Sequence, residues 1–176
     1  MHKARSLAAL VMTSALSACA TTIPPITDQV ARVDLNSADG TAKGGAALIS
    51  IDGKLELRIA ATGLPAGTHG LHLHAVGSCT APDFASAGPH LNPHARMHGS
   101  DNLQGSHLGD LPNLIVGPDG KGELTATLDG PQWQLEGQLF DSDGTALVVH
   151  AAADDYRTDP SGNSGARIAC GVLTRG

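Results

Sequence analysis

Aromatic side chains are nearly absent. Phe84, Trp133, Phe140 and Tyr156 are the whole complement in 176 residues, so a hydrophobic core must be aliphatic, and the aromatic platforms that stack single-stranded nucleic acid are excluded. Positive charge is also scarce. Eleven basic residues stand against seventeen acidic ones, a formal net charge of −6, whereas a phosphate backbone asks for a positive surface. No long stretch shows helical periodicity, no segment repeats, and nothing marks a second domain. What remains, 41% hydrophobic and 16% charged, is the content of one globular domain.

Residues 1 to 19 read as an export signal. His2, Lys3 and Arg5 form a polar start, and Leu7 to Leu16 is an apolar run too short to cross a bilayer. Leu16-Ser17-Ala18-Cys19 resembles the bacterial lipoprotein box, in which Cys19 becomes the lipid-modified first residue. The alternative is cleavage after Ala20, since Ala18 and Ala20 form a small-residue site and would release a free periplasmic protein. Either route places the chain in the bacterial cell envelope or periplasm. Loss of Lys3 and Arg5 leaves nine basic residues and a net charge of −8. Residues 20 to 29 (ATTIPPITDQ) then form a tether, and residues 30 to 176 form the domain. With Cys19 assigned to the signal or anchor, Cys79 and Cys170 remain as an even pair in an oxidising compartment, either bonded or as two buried thiols.

The domain reads as short strands. Leu55, Leu57 and Ile59 alternate with Lys54, Glu56 and Arg58, and Leu124, Ala126 and Leu128 alternate with Glu123, Thr125 and Thr127, the pattern of half-buried antiparallel sheet. Asp52-Gly53, Asp119-Gly120 and Asp143-Gly144 supply turns. The expected fold is all-β, an antiparallel sandwich or flattened barrel.

Histidine is concentrated. Seven of the nine histidines lie between His69 and Asp110, and neutral imidazole is the commonest metal ligand. His72 and His74 are two apart, so in a strand both point to one face while Leu71 and Leu73 point to the other. After them periodicity stops, and His90, His98, His107 and Asp110 sit among Gly, Pro, Asn and Ser. A loop of this length is ordered by function or not at all, and ligands closing on a metal would order it.

These residues resemble the copper, zinc superoxide dismutases. The matching pieces are GLHLH (70 to 74), GPHLNPHARMHG (88 to 99), HLGDLPN (107 to 113), ALVVHAAADD (146 to 155) and GNSGARIACGV (162 to 172). The resemblance implies a Greek-key form of the β fold with long metal-binding loops. It implies copper on His72, His74, His90 and His150, and zinc on His90, His98, His107 and Asp110, with His90 shared. It further implies a disulfide between Cys79 and Cys170, an anion-guiding Arg167, and Asp154 as the carboxylate that orients metal-bound histidines. Taken alone, His150 would be a structural histidine, Arg167 an exposed strand residue and Asp154 a solvated loop acid. Leu71 and Leu91 stand where the family usually has Phe, and Ala75 follows the copper pair, departures that touch packing rather than ligands. His2, His69 and His94 match no ligand position. The implied reaction converts superoxide to dioxygen and hydrogen peroxide by alternate reduction and reoxidation of copper. The competing class is a binding protein, either a periplasmic copper or zinc carrier or a catalytically silent relative kept for structure. Expected partners are superoxide and, through Cys19, a membrane, with no nucleic acid; monomer and homodimer are both open.

Overall fold

The computed structural model describes residues 28–176. The export signal, Cys19 and the tether as far as Thr27 lie outside the described residues. Ten strands follow in order: β1 Gln29–Asn36, β2 Ala42–Ile51, β3 Lys54–Ala61, β4 Gly67–His69, β5 Leu71–His74, β6 Leu114–Val116, β7 Gly122–Thr127, β8 Ala146–His150, β9 Arg167–Val172 and β10 Thr174–Arg175. β1 thus begins on the last residue assigned to the tether.

Alternation of apolar and polar residues builds the first three strands into a meander. β3 buries Leu55, Leu57, Ile59 and Ala61 and turns its other residues outward. Asp52 and Gly53, both at positive φ (50° and 76°), join β2 to β3 with Ile51 facing Lys54 across the turn, the two-residue geometry that matches strand twist. The main sheet runs β5-β8-β9-β1-β2-β3-β7, with β10 added beside β1 and a separate β4–β6 pair. Every pairing is antiparallel. β7 returns to β3 and β8 crosses to β5, so the chain traces a Greek key that curls around its core.

That core is aliphatic, as the composition requires. Leu35, Leu48, Leu55, Leu57, Leu71, Leu73, Leu114, Leu135, Leu139 and Leu147 are fully buried. Among the described residues Phe84 is the only Phe, Tyr or Trp that is buried. It belongs to a second cluster with Ala87, Ala146, Val148 and Cys170, where Cys79 and Cys170 form the expected disulfide with Cα atoms 5.7 Å apart. The bond closes a span of 91 residues, and the chain-entropy picture gives about 4 to 5 kcal/mol for such a loop as an upper figure.

One element departs from the sequence reading. A helix, α1, forms over Gln132–Leu139 after Pro131. Only Leu135 and Leu139, four apart, are buried on it, so two anchors carry the helix and leave no periodic signal. Trp133 points outward at 78% exposure.

The free side of β5 is closed by the histidine-rich loop. Leu91 N donates to Leu73 O (2.8 Å), Leu73 N to Gly109 O (2.9 Å) and Ala75 N to Pro89 O (2.9 Å). His90 and Asp110 are thereby carried into register beside His74 and His72.

Candidate metal centre

Two groups of ligand atoms converge at this edge. His72, His74, His90 and His150 form one and His90, His98, His107 and Asp110 the other, each with its ligand atoms within 4.8 Å of one another. Strand parity aims His72 and His74, β8 ends on His150, and the loop along β5 delivers the rest. All eight sequence-assigned positions, with His90 counted in both groups, therefore meet.

Hydrogen bonds fix which nitrogen each ring presents. His74 Nδ1 donates to Gly88 O (2.9 Å) and His150 Nδ1 to Gly165 O (3.1 Å), which leaves both Nε2 lone pairs facing inward, 3.4 Å apart. Asp154 accepts from His72 Nε2 (2.7 Å) and His98 Nε2 (2.9 Å), which turns both Nδ1 atoms to the site. Buried His72 Nδ1, His90 Nε2 and His98 Nδ1 have no hydrogen-bond partner. Orphaned buried nitrogens are costly unless something accepts their lone pairs, and a metal ion does.

In the second group, Nδ1 of His90, His98 and His107 lie 3.0, 3.0 and 3.1 Å from one oxygen, Asp110 Oδ1. Three nitrogens around one carboxylate oxygen exceed its two lone pairs. A tetrahedral ion with bonds near 2.0 Å would set these edges at about 3.3 Å, so three nitrogens and one oxygen suit zinc. Asp110 Oδ2 is held apart by Gly99 N (2.8 Å) and His107 N (3.0 Å).

Electrostatics keeps the ligands in their binding forms. Burial pulls His74 down to about 2, His90 to about 4 and His150 to about 3, and neighbouring imidazoles add to the effect. Burial alone would raise Asp110, but hydrogen bonds from His90 and Gly99 N and the nearby imidazoles carry its pKa below the ordinary range. Asp154 is likewise lowered by His72, His98 and Tyr156 N against the effect of burial. These shifts predict a pH dependence. The three folded-state histidines stay neutral well below 6.5, so between about pH 6.5 and 4 the unfolded chain binds more protons than the folded one. Stability of the metal-free protein should then fall with pH by about 1.4 kcal/mol per unit for each histidine. Urea unfolding of chelator-stripped protein at pH 7 and pH 5 tests this, and equal stabilities would contradict it.

Asp154, left open by the sequence, is 3% exposed and bonds one histidine of each group. Arg167 donates Nη1 to Phe84 O (2.6 Å) and Nη2 to Gly88 O (2.7 Å), and it pairs across the sheet with His150. Gly88 O thus joins Arg167 to His74. Several positioning residues escaped the sequence reading. His69 is buried with Nδ1 2.7 Å from His150 O and Nε2 2.9 Å from Pro65 O, so it holds the backbone of His150. Asn113 Nδ2 donates to Asp154 O (2.9 Å), and Asn113 Oδ1 accepts from Asp154 N (2.8 Å). Gly162, at φ +63°, lies where a Cβ would collide with Asp154 Oδ1, so only glycine lets this loop cover the carboxylate. The two residues' places inside HLGDLPN and GNSGARIACGV were the available signal. His94 remains outside the site, near Gln138.

Comparison with known proteins agrees with the geometry. The chain is 44% identical over 147 residues to the superoxide dismutase-like protein YojM of Bacillus subtilis, covering 80% of this chain and 74% of that one. It is 39% identical to superoxide dismutase (Cu-Zn) 2 of Aquifex aeolicus, over 83% of this chain and 87% of the relative. The crystal structure of a superoxide dismutase-like protein from Bacillus subtilis superposes with a TM-score of 0.75 at 44% identity, covering 81% of this chain and 97% of that one. The family model described as copper/zinc superoxide dismutase matches residues 42–173, a span that takes in both ligand groups, the disulfide and Arg167, and the chain belongs to that family.

Proposed function

We propose that this enzyme dismutes superoxide with copper held by His72, His74, His90 and His150, and zinc held by His90, His98, His107 and Asp110. The observation that carries this assignment is the two-sidedness of His90. Its Nδ1 lies 3.0 Å from Asp110 Oδ1 in one group, and its Nε2 is buried without a partner in the other. Copper, when held there, would supply the reversible one-electron chemistry by which two superoxide ions and two protons become dioxygen and hydrogen peroxide, and zinc would supply fixed charge without redox change.

The chain's own groups supply position and protons. His90 Nε2 is the place where one proton is held between the two halves of the cycle, because Nδ1 is engaged on the Asp110 side. Arg167, fixed by two carbonyls, keeps further N–H donors for the anion. The protein is acidic overall, so attraction comes from this local charge.

His98→Ala should release zinc with copper retained. Asp154→Asn should weaken both metals, each by about 10- to 100-fold, since an amide cannot accept from His72 and His98 with both of its ends. Elemental analysis after dialysis separates the two, and equal loss of both metals from His98→Ala would refute the partition. The enzymatic reading itself is tested by superoxide decay with the metallated protein. Decay no faster than in buffer would leave the carrier.

The same reading assigns the protein to the bacterial envelope with lipid on Cys19. It is supported by the box directly after the apolar run and by a disulfide that calls for an oxidising compartment. Mass spectrometry of the mature N-terminus tests it, and an unmodified chain starting at Thr21 would overturn it.

A further inference from the structure

The described chain enters the domain beside its most exposed aromatic residue. Asp28 O accepts from Ser50 N (2.9 Å), Ser50 Oγ donates to Gln132 Oε1 (2.6 Å), and Trp133 follows at 78% exposure. Ile51, at 39% exposure, and the Asp52-Gly53 turn belong to the same end, because Gln132 N donates to Gly53 O (3.3 Å). So does Arg175, which lies 4.1 Å over the Phe140 ring and pairs with Ala31. Cys19 and Asp28 are only nine residues apart, a reach of at most about 31 Å fully extended and nearer 18 Å as a random coil. A lipid on Cys19 would therefore keep this end of the domain within that distance of the bilayer.

We infer that the end bearing Trp133 rests on the lipid headgroups, with the indole in the interfacial layer, and that this sets the orientation of the enzyme. The inference rests on the reading of Cys19 as lipid-modified. An indole suits that layer because it has an apolar body and one N–H donor, and the Arg175 guanidinium beside it is paired with Glu136 Oε2 (3.3 Å), so the indole is the group that meets the headgroups. Net charge cannot do this work, since the protein and an anionic membrane repel. Along β10 and β9, Arg167 is eight residues from Arg175, about 26 Å at strand rise, so the anion-guiding group faces the aqueous side.

Trp133 is the single tryptophan, which makes it the probe. The full chain purified from membranes is reconstituted in phosphatidylethanolamine and phosphatidylglycerol vesicles, and the mass of its N-terminal residue is checked. Trp133 emission should move to shorter wavelength, be quenched by brominated lipid, and lose most of its quenching by aqueous iodide. As a control, Trp133→Phe with Ile115→Trp moves the probe to an exposed site (72% exposed) beside Gly122, which pairs with Ala61 at the far end of β3. There iodide should quench freely. A lipidated chain whose Trp133 stays open to iodide, or whose two probes are shielded alike, overturns the orientation and leaves the anchor standing. A Cys19 without lipid overturns both. Trp133→Ala should leave superoxide decay unchanged.

Discussion

His150→Ala should lose copper and nearly all superoxide decay, about 10³-fold or more, while zinc stays bound. His150 contributes to one ligand group alone, and its Nε2 faces His74 Nε2 at 3.4 Å, so its removal opens the copper side without touching Asp110. The fold should survive. His150 N donates to Gly70 O (2.8 Å), and His150 O faces His69 Nδ1, and both contacts use backbone that alanine keeps. Groups that act as a unit lose most of their effect when one is removed. Copper and zinc contents, measured beside the decay rate, check the result, and a variant that keeps copper would remove His150 from the ligand set.

Arg167→Ala has the second largest expected effect and a different signature. Both metals and the fold should remain, because Gly88 O still accepts from His74 Nδ1 and the disulfide still ties Cys79 to Cys170. The second-order rate should fall by about 10- to 100-fold, within the range attributed to electrostatic steering. The remaining rate should also depend less on ionic strength, since one source of attraction is gone. The enzyme family is itself a standard case of steered association. Stopped-flow rates over a range of salt measure both quantities. An unchanged rate and salt slope would reduce Arg167 to a strut between Phe84 and Gly88.

Much of this site could be read from residue order, for definite reasons. Strand parity alone puts His72 and His74 on one face, and alternation in β3 and β7 gives their buried sides. The metal-site candidates beyond β5 were sorted into two groups only through family likeness, because no periodicity relates His90, His98, His107 and Asp110; backbone hydrogen bonds to β5 align His90 and Asp110, while His98 N and His107 N are held by Asp159 Oδ1 and Asp110 Oδ2. Asp154 could not be told from a surface acid until its two histidine partners were in place. His69 matches no ligand position in the sequence, and residue order is silent about its bonds to the carbonyls of His150 and Pro65. α1 escaped because two leucines suffice to seat one short helix.

The loop that lies along β5 has a consequence for solubility. A strand at the border of a sheet offers unpaired N–H and C=O groups to any other chain, and proteins protect themselves by covering it. Here the cover is made of the segments around Pro89 to Leu91 and Gly109, the same segments that carry His90 and Asp110. The segments that present His90 and Asp110 are thus also the ones that keep the border of the sheet closed, through backbone hydrogen bonds over Leu71 to Ala75, so a substitution that displaces either segment would both misplace a metal-binding side chain and bare a strand to other chains.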